Sequence, residues 1–160
     1  MSEVRRDEFC KVTGIKPKDC RVVPNGIDSI ATLGLTKPVA DFTRKHSLLQ
    51  RDVVLFHPAR LLARKNVEFT VEVVAALHKL GTNAACIITG AADPHRAESA
   101  DYAKSVRDLI VKKKMQAHAL LASDSFAVSE DDVRCFYSLA DGLFFPSKAE
   151  GFGLPLIEAR

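Results

Sequence analysis

Two glutamates eight positions apart, Glu150 and Glu158, bracket the stretch EGFGLPLIEA near the end of the sequence. Between them lie Gly151, Gly153 and Pro155. Glycines let a backbone approach a ligand closely, and proline suits the first turn of a helix, where no amide donor is required. The free amides and positive dipole end of such a helix start favour phosphate or another oxyanion. In that setting the two carboxylates would accept hydrogen bonds from hydroxyl groups flanking the phosphate. An acidic residue in a first helical turn also stabilises the dipole with no ligand at all, and on spacing alone this is the simpler reading of Glu158.

A second stretch, ARLLARKN (59–66), follows an apolar run and carries Arg60 and Lys65. A guanidinium fork matches phosphate oxygens and an ammonium is a compact point charge, so the pair suits a diphosphate. By itself the loop reads first as a solvated basic turn; a glycine-rich helix start on the same rim shifts the reading towards phosphate. The histidines are weaker signals. His57 lies inside an apolar run and reads as a packed residue with a backbone partner, His95 as a surface loop residue, and His46, His78 and His118 as helix or edge positions. No Ser-His-Asp order, metal triad or GxxxxGK[ST] loop is present, and no GxGxxG follows the first apolar run, which argues against a dinucleotide-dependent dehydrogenase.

The elements that must hold these residues alternate. Val53 to Arg60, Ala84 to Gly90, Ala117 to Ser123 and Asp141 to Ser147 read as strands, apolar on both faces. Between them, Asn66 to Leu80, about Ser99 to Lys114, and Ser129 to Ala140 read as helices, with Gly81 closing the first and Ser129 capping the third. A further helix begins near Leu154. This order predicts an α/β fold, a Rossmann-like doubly wound parallel sheet with helices on both faces. Ligands of such sheets bind beyond the carboxyl ends of the strands, so the loops after Arg60, Gly90, Ser123 and Ser147 should share one rim. Residues 1–50 carry Lys-Pro twice, the turn PNGID (24–28) and a short helical stretch near Val39 to Gln50. They read as a linker segment packing on the sheet domain, which spans 51–160.

Composition excludes several classes. The 160 residues are 47% hydrophobic and 27% charged, which fits one globular domain rather than a disordered or fibrous chain. A net charge of +3 with scattered lysines and arginines gives no case for nucleic acid. Cys10, Cys20, Cys86 and Cys135 show no CxxC pairing and no histidine at metal-ligand spacing, and read as reduced thiols of a cytoplasmic protein. No apolar run approaches the roughly 20 residues that cross a bilayer. Peripheral membrane association is compatible with the sequence but not indicated by it.

Four stretches in this order, VVPNGID, FHPARLLARKN, IITGAADPH and LADGLFFPSKAEGFGLPLIEA, resemble the C-terminal half of retaining GT-B glycosyltransferases of family 4. The resemblance runs from about Cys20 to the end, and the glutamate, seven residues, glutamate pattern is its most specific element. It implies transfer of a hexose, mannose or glucose, from a nucleotide diphosphate sugar of the GDP-mannose or UDP-glucose class, with retention and without a metal cofactor. Arg60 and Lys65 match the pair that binds the donor diphosphate. Glu150 matches the glutamate near the reacting carbon and Glu158 the one that binds the ribose. The amides of Gly151, Phe152, Gly153 and Leu154 would hold sugar or phosphate oxygens, and the loop around Ser125 to Val128 matches the region beside the nucleobase.

In that family an N-terminal domain carries the acceptor site, and the C-terminal half continues past the second glutamate. Neither is represented in this sequence, so the expectation is a donor-binding part, incomplete at its C-terminus, that lacks transferase activity alone and binds nucleotide weakly or not at all. A non-catalytic GT-B-like module that binds nucleotide or a partner is the alternative reading.

Overall fold

A computed structural model describes residues 2–23, 26–90 and 97–159, with the backbone alone at 97 and 98. Pro24 and Asn25 of the turn PNGID, and residues 91–96, which include His95 and most of the loop after the second strand, lie outside the described residues. The chain divides into two compact units, Met1–Thr32 and Leu33–Arg160.

In the first unit, α1 (Glu3–Thr13) starts where the Ser2 side chain accepts from the Arg5 amide, and ends where Gly14 turns left-handed at φ 77° and donates to Cys10 O. This helix has almost no apolar periodicity and buries only Cys10, which is why hydrophobic patterning passes over it. A 3-10 turn, Pro17–Asp19, follows, and then α2 (Ser29–Thr32), whose first amides are met by Asp28 Oδ1, 3.0 Å from Ile30 N and 3.2 Å from Ala31 N. All four cysteines of the chain are free thiols.

The second unit opens with α3 (Lys37–Lys45), ahead of residue 51, where sequence patterning alone starts the sheet domain. The sheet unit then runs β1 (Val53–His57), α4 (Val67–Lys79), β2 (Ala84–Ile88), α5 (Ala97–Lys112), β3 (Ala119–Leu121), α6 (Glu130–Leu139), β4 (Gly142–Leu143) and α7 (Pro155–Glu158). All pairings are parallel and the spatial order is β3-β2-β1-β4. The expected doubly wound α/β sheet is therefore present, with strands shorter than their apolar runs. The fourth is reduced to two paired residues, Leu55 opposite Gly142 and Phe56 opposite Leu143.

Alternation along the strands sends side chains to two cores. Cys86 and Ile88 face Val67, Val71 and Val74 of α4 and Val106 and Ile110 of α5. Ala85 and Ile87, with Val54 and Phe56, face Val39 and Phe42 of α3 and Phe136 of α6. Phe56 and Phe136 are both fully buried with ring centroids 5.6 Å apart, and full burial of each such side chain stabilises by about 1.5–3 kcal/mol. Helix α6 is locked at its start by a capping box: Ser129 accepts from Asp132 N, and Asp132 accepts from Ser129 N. Asp132, almost fully buried, also accepts from the Thr36 hydroxyl at the start of α3.

The order β3-β2-β1-β4 fixes where a ligand would sit. From β1 the chain winds outward through β2 to β3, then returns past β1 to form β4 on its other side. The direction of winding therefore reverses between β1 and β4, and the crevice beyond their carboxyl ends is the binding position of open α/β sheets.

Candidate functional site

Two loops meet at that crevice. The first leaves β1 at His57, passes Arg60, and tightens into a 3-10 turn, Ala63–Lys65, before α4. Asn66, left-handed at φ 56°, does not cap α4 with its side chain; its Nδ2 crosses to Pro146 O at 3.1 Å. The second loop leaves β4 with Phe144 N donating to Phe56 O at 2.8 Å, and returns the connection through Lys148 N, 2.8 Å from Arg64 O. Backbone and amide contacts thus hold the loops together before any charged group is considered.

The charged groups converge between them. Lys65 Nζ lies 2.5 Å from Glu150 Oε1, and Arg64 Nη1 lies 3.2 Å from Glu150 Oε2 and 3.2 Å from Ala149 O. The Lys65 side chain is only 11% exposed and that of Glu150 21%. The ammonium also stands 5.5 Å from the centre of the Phe145 ring, a geometry that favours a cation. Burial pushes the Glu150 carboxyl up, but the hydrogen bond from Lys65 and the charges of Lys65 and Arg64 outweigh it and hold the group below the usual carboxylate range.

Beneath the cluster, His57 is completely buried and its Nδ1 is 2.8 Å from the Thr70 hydroxyl of α4. The expected backbone partner is thus replaced by a side chain, because the C-terminal end of β1 faces the first turns of α4. Burial, reinforced by the charge of Lys65, lowers its pKa to about 4, so the imidazole is neutral at pH 7. Its Nε2 meets no partner among the described residues.

The remaining sequence candidates divide. Arg60 is exposed on the loop after β1 and has no ion-pair partner among the described residues. The amides of Gly151, Phe152, Gly153 and Leu154 donate to no protein acceptor among the described residues, and Gly153 is left-handed at φ 74°. Glu158, at the end of the single-turn α7, accepts from the Tyr137 hydroxyl at 2.8 Å beside a concavity of about 640 Å³. No contact among the described residues joins Glu158 to the Lys65–Glu150 pair. The loop from Ser125 to Val128 follows β3 after a short 3-10 turn, Ala122–Asp124.

Sequence reasoning passes over Arg64, although it stands beside Lys65 in the same basic stretch, because a rim position was inferred only for the residues at its ends. It also passes over Tyr137, whose place on an amphipathic helix marks it as core. Among the described residues no three His, Cys, Asp or Glu side chains converge as metal ligands, and no helix is long and apolar enough to cross a membrane. Chemically, the meeting of the two loops offers clustered cations around one carboxylate, Glu150, with the unpaired amides of 151–154 following it in the chain.

Comparison with known proteins bears on this arrangement. A family model described as Glycosyl transferases group 1 matches residues 39–160. A mannosylglucosylglycerate synthase of Petrotoga mobilis is 25% identical over 136 residues, which are 72% of this chain and 30% of the relative's length. Among solved structures, the C-terminal domain of LpcC, a glycosyl transferase group 1 family protein of Francisella tularensis, superposes with a TM-score of 0.59 at 18% identity, covering 84% of this chain and 65% of that one. HepE of Anabaena, solved in complex with UDP, gives a TM-score of 0.58 at 20% identity over 99% of this chain and 40% of its own.

Proposed function

The chain belongs to the glycosyl transferases group 1 family, and on that premise we propose that it is the donor-binding part of an enzyme that moves a hexose from a nucleotide diphosphate sugar to an acceptor with retention at the anomeric carbon. The observation that carries this reading is the meeting of Lys65 and Glu150, from the loops after β1 and β4, at the reversal point of the sheet.

The roles are those that the resemblance implies. Lys65, with Arg64 beside it and Arg60 on the same loop, stabilises the negative charge that grows on the diphosphate as the sugar leaves. Preorganised charges aimed at a developing anion are typically worth about 10²–10³ in rate each, and this arrangement needs no metal. Glu150 lies next to those cations and accepts from the donor sugar near its reacting carbon. The unpaired amides from Gly151 to Leu154 take sugar or phosphate oxygens, and Glu158 takes the ribose hydroxyls. Glu150 pairs with Lys65, so a donor diphosphate exchanges one anionic partner of the ammonium for another. The UDP bound by HepE and the mannosyl product named for the Petrotoga relative support a donor of the UDP-glucose or GDP-mannose class.

The chain spans 30% of that relative's length, and transfer is proposed for the protein as a whole. A sugar-transfer assay over a panel of UDP and GDP sugars, on the native protein with any flanking sequence it carries, tests the reading. Lys65→Ala is expected to lower turnover by about 10²–10³. Saturable donor binding without transfer on any acceptor tried would instead assign a non-catalytic nucleotide-binding module.

A further inference from the structure

Glu158 sits on a helix of a single turn with no side-chain cap at its start, and residues around it are exposed: Leu154 57%, Leu156 61% and Ile157 53%. A glutamate in such a place loses rotamer freedom worth up to about 2 kcal/mol when a ligand fixes it. Here the side chain is already fixed. The Tyr137 hydroxyl donates to Oε2 at 2.8 Å, while Oε1 has no partner among the described residues.

The tyrosine is itself anchored. Its ring meets that of the fully buried Phe56 edge-on, with centroids 4.9 Å apart and planes at 88°, and Phe56 belongs to β1. Burial and the neighbouring Glu158 carboxylate push the phenol's pKa up, so it remains a donor across the physiological range. The chain of contacts runs from the central strand through an aromatic ring to one carboxylate oxygen. The concavity of about 640 Å³ beside it, walled by Val133, Tyr137 and Ser138 of α6, lies within the range of small-molecule pockets.

We propose that Tyr137 is a positioning residue for donor recognition: its hydroxyl occupies one oxygen of Glu158 so that the other is presented to a vicinal diol of the donor's nucleoside. The proposal rests on the reading of Glu158 as the ribose contact given above, and adds to it the residue that aims the carboxylate. A preorganised acceptor binds a diol more tightly because its ordering cost is met before the ligand arrives. A tyrosine that served packing alone would support every nucleotide equally, whereas one that aims Glu158 matters only to ligands that carry the diol.

The test is calorimetry on the native protein with UDP and GDP and with their 2′,3′-dideoxy counterparts, comparing wild type, Tyr137→Phe and Glu158→Ala. Phenylalanine keeps the ring contact with Phe56, so the fold is retained, and thermal unfolding checks this. Wild type is expected to prefer the ribonucleotide. Tyr137→Phe is expected to lose about three- to tenfold in affinity for the ribonucleotide, as one hydrogen bond would give, while its affinity for the dideoxy compound stays within about twofold. Equal loss for both ligands, or loss for neither, overturns the role of Tyr137 when Glu158→Ala abolishes the ribose preference. If wild type shows no preference, or Glu158→Ala keeps it, the ribose assignment of Glu158 fails, and the proposal fails with it.

Discussion

The ammonium of Lys65 and the carboxylate of Glu150, 85 residues apart in sequence, lie 2.5 Å apart in space at the point where the sheet reverses its winding. Each comes from a loop with its own tether to the other: Asn66 Nδ2 to Pro146 O at 3.1 Å, and Lys148 N to Arg64 O at 2.8 Å. The ion pair is thus a consequence of loop placement, and both side chains are shielded enough for their charge to matter to a ligand.

The buried imidazole beneath the pair gives stability a pH signature. His57 titrates near pH 4 in the folded protein, below its ordinary value of 6.5. The unfolded chain therefore takes up this proton first, so the contribution is fully present above pH 6.5 and is lost as the pH falls towards 4. Between pH 7 and pH 5 the loss from this one group is about 2 kcal/mol. Urea unfolding at the two pH values should show it, and His57→Phe should flatten that part of the profile whatever it does to stability at pH 7. An unchanged profile in the variant would show that His57 is not the group responsible.

Asp132 joins α6 to α3. It accepts from Ser129 N at 2.8 Å, from Ser129 Oγ at 2.7 Å and from the Thr36 hydroxyl, and is almost fully buried. Asp132→Ala removes the reciprocal half of the capping box and takes the acceptor from three donors, at an expected cost of about 2–3 kcal/mol. Differential scanning calorimetry should register this as a fall in Tm of about 5–10 °C. A change below about 1 °C would mean that the cap does not hold the helix.

Gly90 ends the strand region of β2 at φ 75°, with its amide 2.9 Å from Ala59 O. A Cβ there would stand 3.1 Å from Leu121 Cδ2 and 3.2 Å from Ser123 Oγ. Gly90→Ala therefore meets both left-handed strain and crowding, and is expected to destabilise by about 1–2 kcal/mol from the backbone alone. Chemical denaturation measures it. Because the Gly90 amide holds Ala59, next to Arg60, donor affinity should weaken in the same variant.

Much of this was legible in the sequence, for identifiable reasons. Strands β1 and β2 are covered on both faces, so they read as unbroken apolar runs, and α6 announces itself through Ser129 and Asp132. Helix α1 was not legible because it buries one side chain and has no apolar stripe; its Ser2 and Gly14 caps are the only signal. Strand β4 is shorter than its apolar run because pairing with β1 involves only Gly142 and Leu143, while Phe144 and Phe145 already belong to the loop that supports Lys65. In the site, Lys65 and Glu150 were named from residue type and resemblance, but their contact depends on which loops flank the sheet reversal. That strand order, like the Tyr137–Glu158 hydrogen bond, arises from pairings between distant segments that no local pattern encodes.

If Lys65 and Glu150 mark a site for the diphosphate of a nucleotide sugar, nucleotide affinity depends on the Lys65 ammonium. Isothermal titration of UDP and GDP into the native protein and its Lys65→Ala variant tests it most directly. Saturable binding of at least one nucleoside diphosphate by the wild type is expected, with at least a tenfold loss of affinity in the variant, about 1.4 kcal/mol. Equal affinity in the two proteins would contradict it.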